Sequence, residues 1–188
     1  MNIFVFVKRV PDTESKIRID HETNSVSEEG INFILNPYDE FAVEEGLRLR
    51  EAKGGEVTVF SVGGEESLVI LKKCLAMGAD DAMRLTDPAF EGSDGFVTAK
   101  ILAEAIRKIP YDLILTGTQA EDDGYGQVGV VVAELLGVPH AAVVNRLEVQ
   151  DKKAKVHREL EGGLEEVYEI DLPAVLTIQT GINEPRYV

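Results

Sequence analysis

The run Leu113-Ile-Leu-Thr-Gly-Thr-Gln-Ala-Glu-Asp-Asp-Gly-Tyr-Gly-Gln-Val-Gly129 is where residue types and spacing point to chemistry, and Val130-Val-Val-Ala-Glu-Leu-Leu136 continues it. It reads as a buried strand entering a Gly-rich, acidic loop that opens a helix. Strand, loop and helix N-terminus in that order hold phosphate in α/β proteins, because free backbone N–H groups and the helix dipole face the anion. The pattern therefore points to a nucleotide-binding module.

Nothing else in the chain supplies a reactive partner for that nucleotide. No metal-ligand spacing occurs, and no Ser–His or Cys–His nucleophile arrangement is present. Cys74 falls in the apolar helical pattern of Leu68, Leu71 and Leu75 and reads as a small core residue. His21 in a polar hairpin and His157 on a two-sided strand are expected to be exposed. His140 follows Pro139 at a strand start with no Cys or carboxylate partner close in sequence.

The elements that must position the loop follow from the apolar runs. Ile3–Val7 and Val57–Val62 are continuous apolar strands of the kind covered on both faces. Lys16–Asp20 alternates like an exposed hairpin strand. Asn36-Pro37 predicts an N-cap with proline at the first helical position, worth about 1 kcal/mol, for a helix from Tyr38 to Lys53 that ends at Gly54-Gly55. Further helices are expected over 65–77, 92–109 and 127–136, with strands over 82–85 and 113–116. Strand–helix alternation at this spacing defines an α/β fold, a doubly wound, mostly parallel sheet.

After Pro139 the helices stop. Strands are predicted over 141–149, 155–160, 164–170 and 174–178, with Glu161-Gly162-Gly163 as a hairpin turn. The expected organisation is one nucleotide-binding domain over 1–188. Residues 141–180 would be its strand-rich extension, added to the sheet edge or folded as a small lobe, and 181–188 the start of a partner-facing tail.

With 19 basic and 34 acidic residues the formal charge is −15, which argues against nucleic acid and anionic membranes as partners. One cysteine excludes a disulfide framework and suits a reducing compartment. No apolar run reaches 18 residues and the chain opens on a strand, so a soluble, cytoplasmic protein without direct membrane insertion is expected.

Seven separated segments together resemble the β subunit of electron transfer flavoprotein. They are Val7-Lys-Arg-Val-Pro-Asp12, Leu35-Asn-Pro-Tyr-Asp-Glu-Phe-Ala-Val-Glu-Glu45, Cys74-Leu-Ala-Met-Gly-Ala-Asp80, Gln119–Gly129, Arg158-Glu-Leu-Glu-Gly-Gly163, Leu172-Pro-Ala-Val-Leu-Thr177 and Asn183-Glu-Pro-Arg-Tyr187. The resemblance implies a Rossmann-like adenine-nucleotide-binding domain of the kind shared with universal stress proteins and PP-loop synthetases. It implies a heterodimer with an α subunit that holds most of the FAD, and a structural AMP in the β subunit. Electrons would come from flavin-dependent dehydrogenases and pass to electron transfer flavoprotein–quinone oxidoreductase, so the chain would be an electron-carrier subunit and not an enzyme.

Carried onto this chain, the resemblance assigns AMP to three places. Asn36, Pro37, Tyr38 and Asp39 would lie against the nucleotide, and Phe6 and Val62 would wall the adenine. The segment Gly117, Thr118, Gln119 through Asp122, Asp123, Gly124, Tyr125, Gly126, Gln127, Val128 and Gly129 would wrap ribose and phosphate. Asp122 and Asp123 would repel phosphate, so a ribose hydroxyl, a loop N–H or a helix-start dipole is their expected partner.

Bifurcating members of the resembled family, with a second FAD in place of AMP, carry an Asp-Gly-Asp pattern in this loop. The order Asp122-Asp123-Gly124 favours AMP. Relatives are expected to continue past the Asn183–Tyr187 segment with a basic stretch and a C-terminal arm that embraces the α subunit, and the sequence here lacks that arm. A universal-stress-type nucleotide sensor would explain the first 140 residues but not the strand-rich remainder. A PP-loop synthetase would need a Ser/Gly-rich loop where Lys8-Arg-Val-Pro-Asp12 stands.

Overall fold

The computed structural model describes residues 1–22 and 24–187. In chain order, β1 is Asn2–Phe6, β2 Arg9–Pro11, β3 Arg18–Asp20, β4 Ser25–Ser27, β5 Phe33–Leu35 and α1 Pro37–Lys53. There follow β6 Glu56–Val62, α2 Leu68–Met77, β7 Asp81–Leu85, α3 Gly95–Ile106, β8 Leu113–Gly117 and α4 Val128–Leu136. The chain closes with β9 His140–Gln150, β10 Lys153–Glu159, β11 Glu165–Asp171 and β12 Ala174–Ile178.

Eight of these strands form one sheet in the order β11-β10-β9-β12-β8-β1-β6-β7. From β9 to β7 every neighbouring pair is parallel, while β10 runs antiparallel to both β9 and β11. The register places Ile3 between Val57 and Leu113, and Val5 between Val59 and Leu115. Because side chains alternate along a strand, Ile3 and Val5 face one layer and Phe4 and Phe6 the other. The first face packs with Leu47 of α1 and Leu71 and Cys74 of α2. The second packs with Leu102 and Ile106 of α3 and Val132 and Ala133 of α4. This double coverage is why the central strands read as unbroken apolar runs.

The α/β, doubly wound expectation holds, and the differences are local. The helix expected over 92–109 begins at Gly95, because the Asp94 carboxylate accepts the Val97 N–H at 2.8 Å and caps it there. Residues Glu65–Ser67 form a 3-10 turn ahead of α2. A two-stranded ribbon, β2 with β5, has no clear sequence signal and sets the Arg9 guanidinium 3.4 Å from the centre of the Phe33 ring. The expected exposed hairpin is present as β3 with β4.

The strand-rich portion extends the sheet edge with β9, β10 and β11. Its last strand, β12, returns to lie between β8 and β9. Residues 181–187 lie along α1. Arg186 donates through Nε and Nη2 to the two carboxylate oxygens of buried Glu44 at 2.8 and 3.0 Å, and through Nη1 to Glu51 at 2.9 Å. Asn183 Nδ2 donates to the Phe41 carbonyl at 3.1 Å and to Glu45 at 2.9 Å. No helix among the described residues is long and apolar enough to cross a membrane.

Candidate functional site

From the carboxyl end of β1 the chain turns to α1 on one face of the sheet, and from the neighbouring end of β8 it turns to α4 on the opposite face. Two adjacent strands whose connections diverge in this way leave a crevice between them, which is where open α/β sheets bind ligands. A cleft of about 1090 Å³ opens there, a volume at the upper end of the range for small-molecule sites.

Asp39 holds the crevice in shape. Its carboxylate is buried and accepts the Lys8 N–H at 2.7 Å and the Gly117 N–H at 3.0 Å, joining the ends of β1 and β8 to the first turn of α1. Burial pushes this carboxyl up to about 7, against the lowering effect of those N–H donors. A Cβ on Gly117 would sit 2.4 Å from Asp39 Oδ1 and 2.6 Å from the Tyr38 Cβ, so only glycine fits.

Asn36 is the N-cap residue of α1, as expected, but its side chain serves another purpose. Its side chain makes no cap hydrogen bond to α1. Instead Nδ2 donates to the Gln119 carbonyl at 2.9 Å, and Oδ1 accepts the Glu121 N–H at 3.1 Å. The residue thus stands at the expected N-cap position, its carbonyl accepting the Glu40 N–H at 3.1 Å, while its side chain fastens the loop after β8 to the start of α1. Pro37 occupies the first helical position, and the Tyr38 hydroxyl accepts from Gln119 Nε2 at 3.3 Å.

Phe6, Asn36, Asp39, Val62, Gly117, Thr118 and Gln119 line the cleft, as do Asp123, Tyr125, Gly126, Gln127, Val128 and Gly129. Pro37, Tyr38, Asp122 and Gly124, also expected at the nucleotide, are not among the residues that line it. Phe6 meets Phe60 edge-on, ring centres 5.8 Å apart, giving the floor an apolar surface suited to a purine. A Cβ on Gly129 would fall 2.6 Å from Thr116 Oγ1 and 2.7 Å from Thr177 Cγ2, which lets the first turn of α4 press directly on β8 and β12.

Asp122 and Asp123 have a partner that the sequence reading did not anticipate. Lys8 Nζ bridges them, at 2.7 Å to Asp122 and 2.9 Å to Asp123. The second Asp123 oxygen accepts the Tyr125 N–H at 3.0 Å, in line with the loop N–H expected for it. Lys8 hydrogen bonds hold the Asp123 carboxyl below its usual value despite partial burial.

The far wall, residues 86–95 between β7 and α3, was missed altogether. The rule that loops at the carboxyl ends of neighbouring parallel strands share one edge would have located it from the positions of β6 and β7. His21 is exposed as expected, and His140, at the first position of β9, is exposed too. His157 is corrected: only 12% of its side chain is exposed, because Nδ1 bonds Glu165 at 2.8 Å across the β10–β11 pair. Burial pushes the Cys74 thiol up to about 12, as suits a core residue.

The donor set fits a nucleotide. Gln127 at the N-terminus of α4 makes no side-chain cap, so the first N–H groups of that helix remain available to an anion. Thr118 Oγ1 is buried at the cleft without a hydrogen-bond partner among the described residues, and buried hydroxyls are normally paired. Among the described residues there is no His, Cys, Asp and Glu grouping able to hold a metal ion.

Fold and crevice together define a doubly wound α/β protein of the nucleotide-binding kind. Comparison with known proteins takes this further. Residues 23–188 match the electron transfer flavoprotein domain. Over its whole length the chain is 46% identical to 71% of the electron transfer flavoprotein subunit beta of Thermoanaerobacterium thermosaccharolyticum. It is 44% identical to 72% of the corresponding subunit of Methylophilus methylotrophus, and 43% identical to 72% of the caffeyl-CoA reductase-Etf complex subunit CarD of Acetobacterium woodii. The chain belongs to the electron transfer flavoprotein family, as a β subunit. That membership displaces the sensor and synthetase readings.

Proposed function

We propose that the chain is the β subunit of a heterodimeric electron transfer flavoprotein, holds AMP in the cleft, and helps to enclose an FAD carried mainly by the α subunit. It acts as an electron carrier in the cytoplasm, receiving electrons from flavin-dependent dehydrogenases and relaying them to electron transfer flavoprotein–quinone oxidoreductase. FAD supplies the redox chemistry, and this chain supplies a rigid floor and a nucleotide seat.

The observation that carries the reading is the crevice at β1 and β8, with its apolar floor, its unpartnered Thr118 hydroxyl and its uncapped helix start. Phe6 and Val62 give the purine an apolar wall, and the N–H groups opening α4 receive the phosphate. Asp39 and Asn36 keep the loop placed and touch no reacting atom. The order Asp122-Asp123-Gly124 supports AMP over a second flavin.

A second reading is favoured by one feature: the cleft, at about 1090 Å³, is large for a mononucleotide. It has FAD in the place of AMP, as in a bifurcating carrier. Denaturing the purified α–β complex and quantifying released nucleotides separates the two. One AMP and one FAD per complex is the expected result. Two FAD and no AMP would overturn it, and no flavin at all would refute the carrier assignment.

A further inference from the structure

The loop after β8 is fastened at both ends and nearly free between them. At its start, Asn36 holds Gln119 and Glu121 through the two bonds described above. At its end, the Gln127 side chain packs on α3 so closely that a Cβ on Gly95 would lie 2.6 Å from Gln127 Nε2. Residues 122–126 between these anchors are all exposed. Within the loop, the Gly124 N–H bonds the Ala120 carbonyl at 2.9 Å and the Tyr125 N–H bonds Asp123. Among the described residues, the only side chain from elsewhere that bonds residues 122–126 is Lys8, through its two carboxylate contacts.

Tyr125 stands between Gly124 at φ 64° and Gly126 at φ 60°, lining the cleft with 72% of its surface exposed. Glycine enters and leaves the left-handed region without a Cβ penalty, so a Gly-Tyr-Gly run can swing its ring with little strain. A large amphipathic ring left in water beside an apolar-floored cleft gains by covering whatever occupies that cleft.

We propose that residues 122–126 form a hinged lid over the nucleotide subsite, with Tyr125 the side chain that closes on the bound nucleotide and Lys8 the latch that holds the lid down. This rests on the reading of the cleft as a nucleotide site. The latch is built to open: Lys8 Nζ and both carboxylates are partly exposed, and such pairs are individually weak and screened by salt. Lys8 also neutralises two adjacent carboxylates that would otherwise repel each other and the phosphate of the ligand. Lys8 is thus a positioning residue that acts on the ligand through the loop.

The chain contains no tryptophan, so Y125W introduces a single reporter into this subunit, and the unsubstituted complex supplies the background. Its emission is followed against the unsubstituted complex while AMP, and separately FAD, is added to purified protein stripped of nucleotide, with calorimetry recording binding independently. The expected result is an emission shift whose rate saturates with nucleotide concentration, as for closure after binding. K8M should release AMP about fivefold faster, the combined effect of two partly exposed ion pairs. K8R should restore the slower release. Added salt should speed release from the unsubstituted protein and leave K8M unchanged.

A reporter that stays still while calorimetry records AMP binding to the same Y125W complex overturns the lid. An unaltered release rate in K8M overturns the latch. If neither AMP nor FAD binds the unsubstituted protein, the nucleotide reading fails and the lid falls with it, an outcome distinct from binding beneath a motionless loop.

Discussion

Replacing Asp39 by asparagine tests the account of the cleft most directly. Asp39 is buried and its carboxyl is pushed up to about 7, whereas in the unfolded chain it titrates near 3.8. Between those values the folded protein keeps a proton that the unfolded chain has released. The stability from this group is therefore complete below about pH 4 and is lost as pH rises through about 7. Between pH 5 and pH 8 the change spans about two pH units of native-state titration, or about 2.7 kcal/mol at 1.36 kcal/mol per unit.

The asparagine of the variant has no such titration. It keeps one carbonyl oxygen for either the Lys8 or the Gly117 N–H and turns an NH2 group towards the other, at a cost of about 1–3 kcal/mol that does not vary with pH. Urea midpoints measured for both proteins at half-unit steps from pH 5 to pH 8 should show the parent losing stability relative to D39N across that range. At pH 5 the variant is the less stable of the two. By pH 8 the gap has narrowed by about 2.7 kcal/mol or reversed. Parallel profiles would refute the reasoning, because they would mean that Asp39 is ionised throughout and its two N–H donors outweigh its burial.

Three further outcomes are expected. G129A drives a Cβ into Thr116 and Thr177 and should destabilise the protein by about 1–3 kcal/mol, lowering the melting midpoint by about 3 °C per kcal/mol and weakening AMP binding measured by calorimetry. N36A strips two hydrogen bonds from the loop after β8. Hydrogen exchange should quicken at the Glu121 amide, while the amides of β1 and β6 keep their protection. R186A leaves the buried Glu44 carboxylate without its forked partner and should cost about 3 kcal/mol in urea denaturation, whereas the pairing of E44Q with R186A should recover part of that loss.

Much of this architecture was legible in the chain because it is written in local terms. Ile3–Val7, Val57–Val62 and Leu113–Thr116 are apolar on both faces, and only strands covered by helices on both sides need that pattern. The strand, loop and helix around Asp122-Asp123-Gly124 pointed to the proposed anion site for the same reason, since a helix start and its preceding turn are contiguous in sequence. The seven segments resembling electron transfer flavoprotein carried the family, and the comparisons agree with them.

Contacts between residues far apart were not legible. That the Asn36 side chain would reach Gln119 and Glu121 instead of the first N–H groups of α1 depends on how close α1 lies to the end of β8, a distance no local pattern encodes. The bridge from Lys8 to Asp122 and Asp123 spans more than a hundred residues, and β12 takes its place between β8 and β9 through sheet pairing alone. Sequence by itself determined most of the elements, the family and the strand–loop–helix proposed as the phosphate site, because propensity, periodicity and motif are properties of neighbours along the chain. Tertiary structure decided which side chains fasten that loop, how large the cleft is and why residue 117 must be glycine, because those depend on strands and helices brought together only when the sheet closes up.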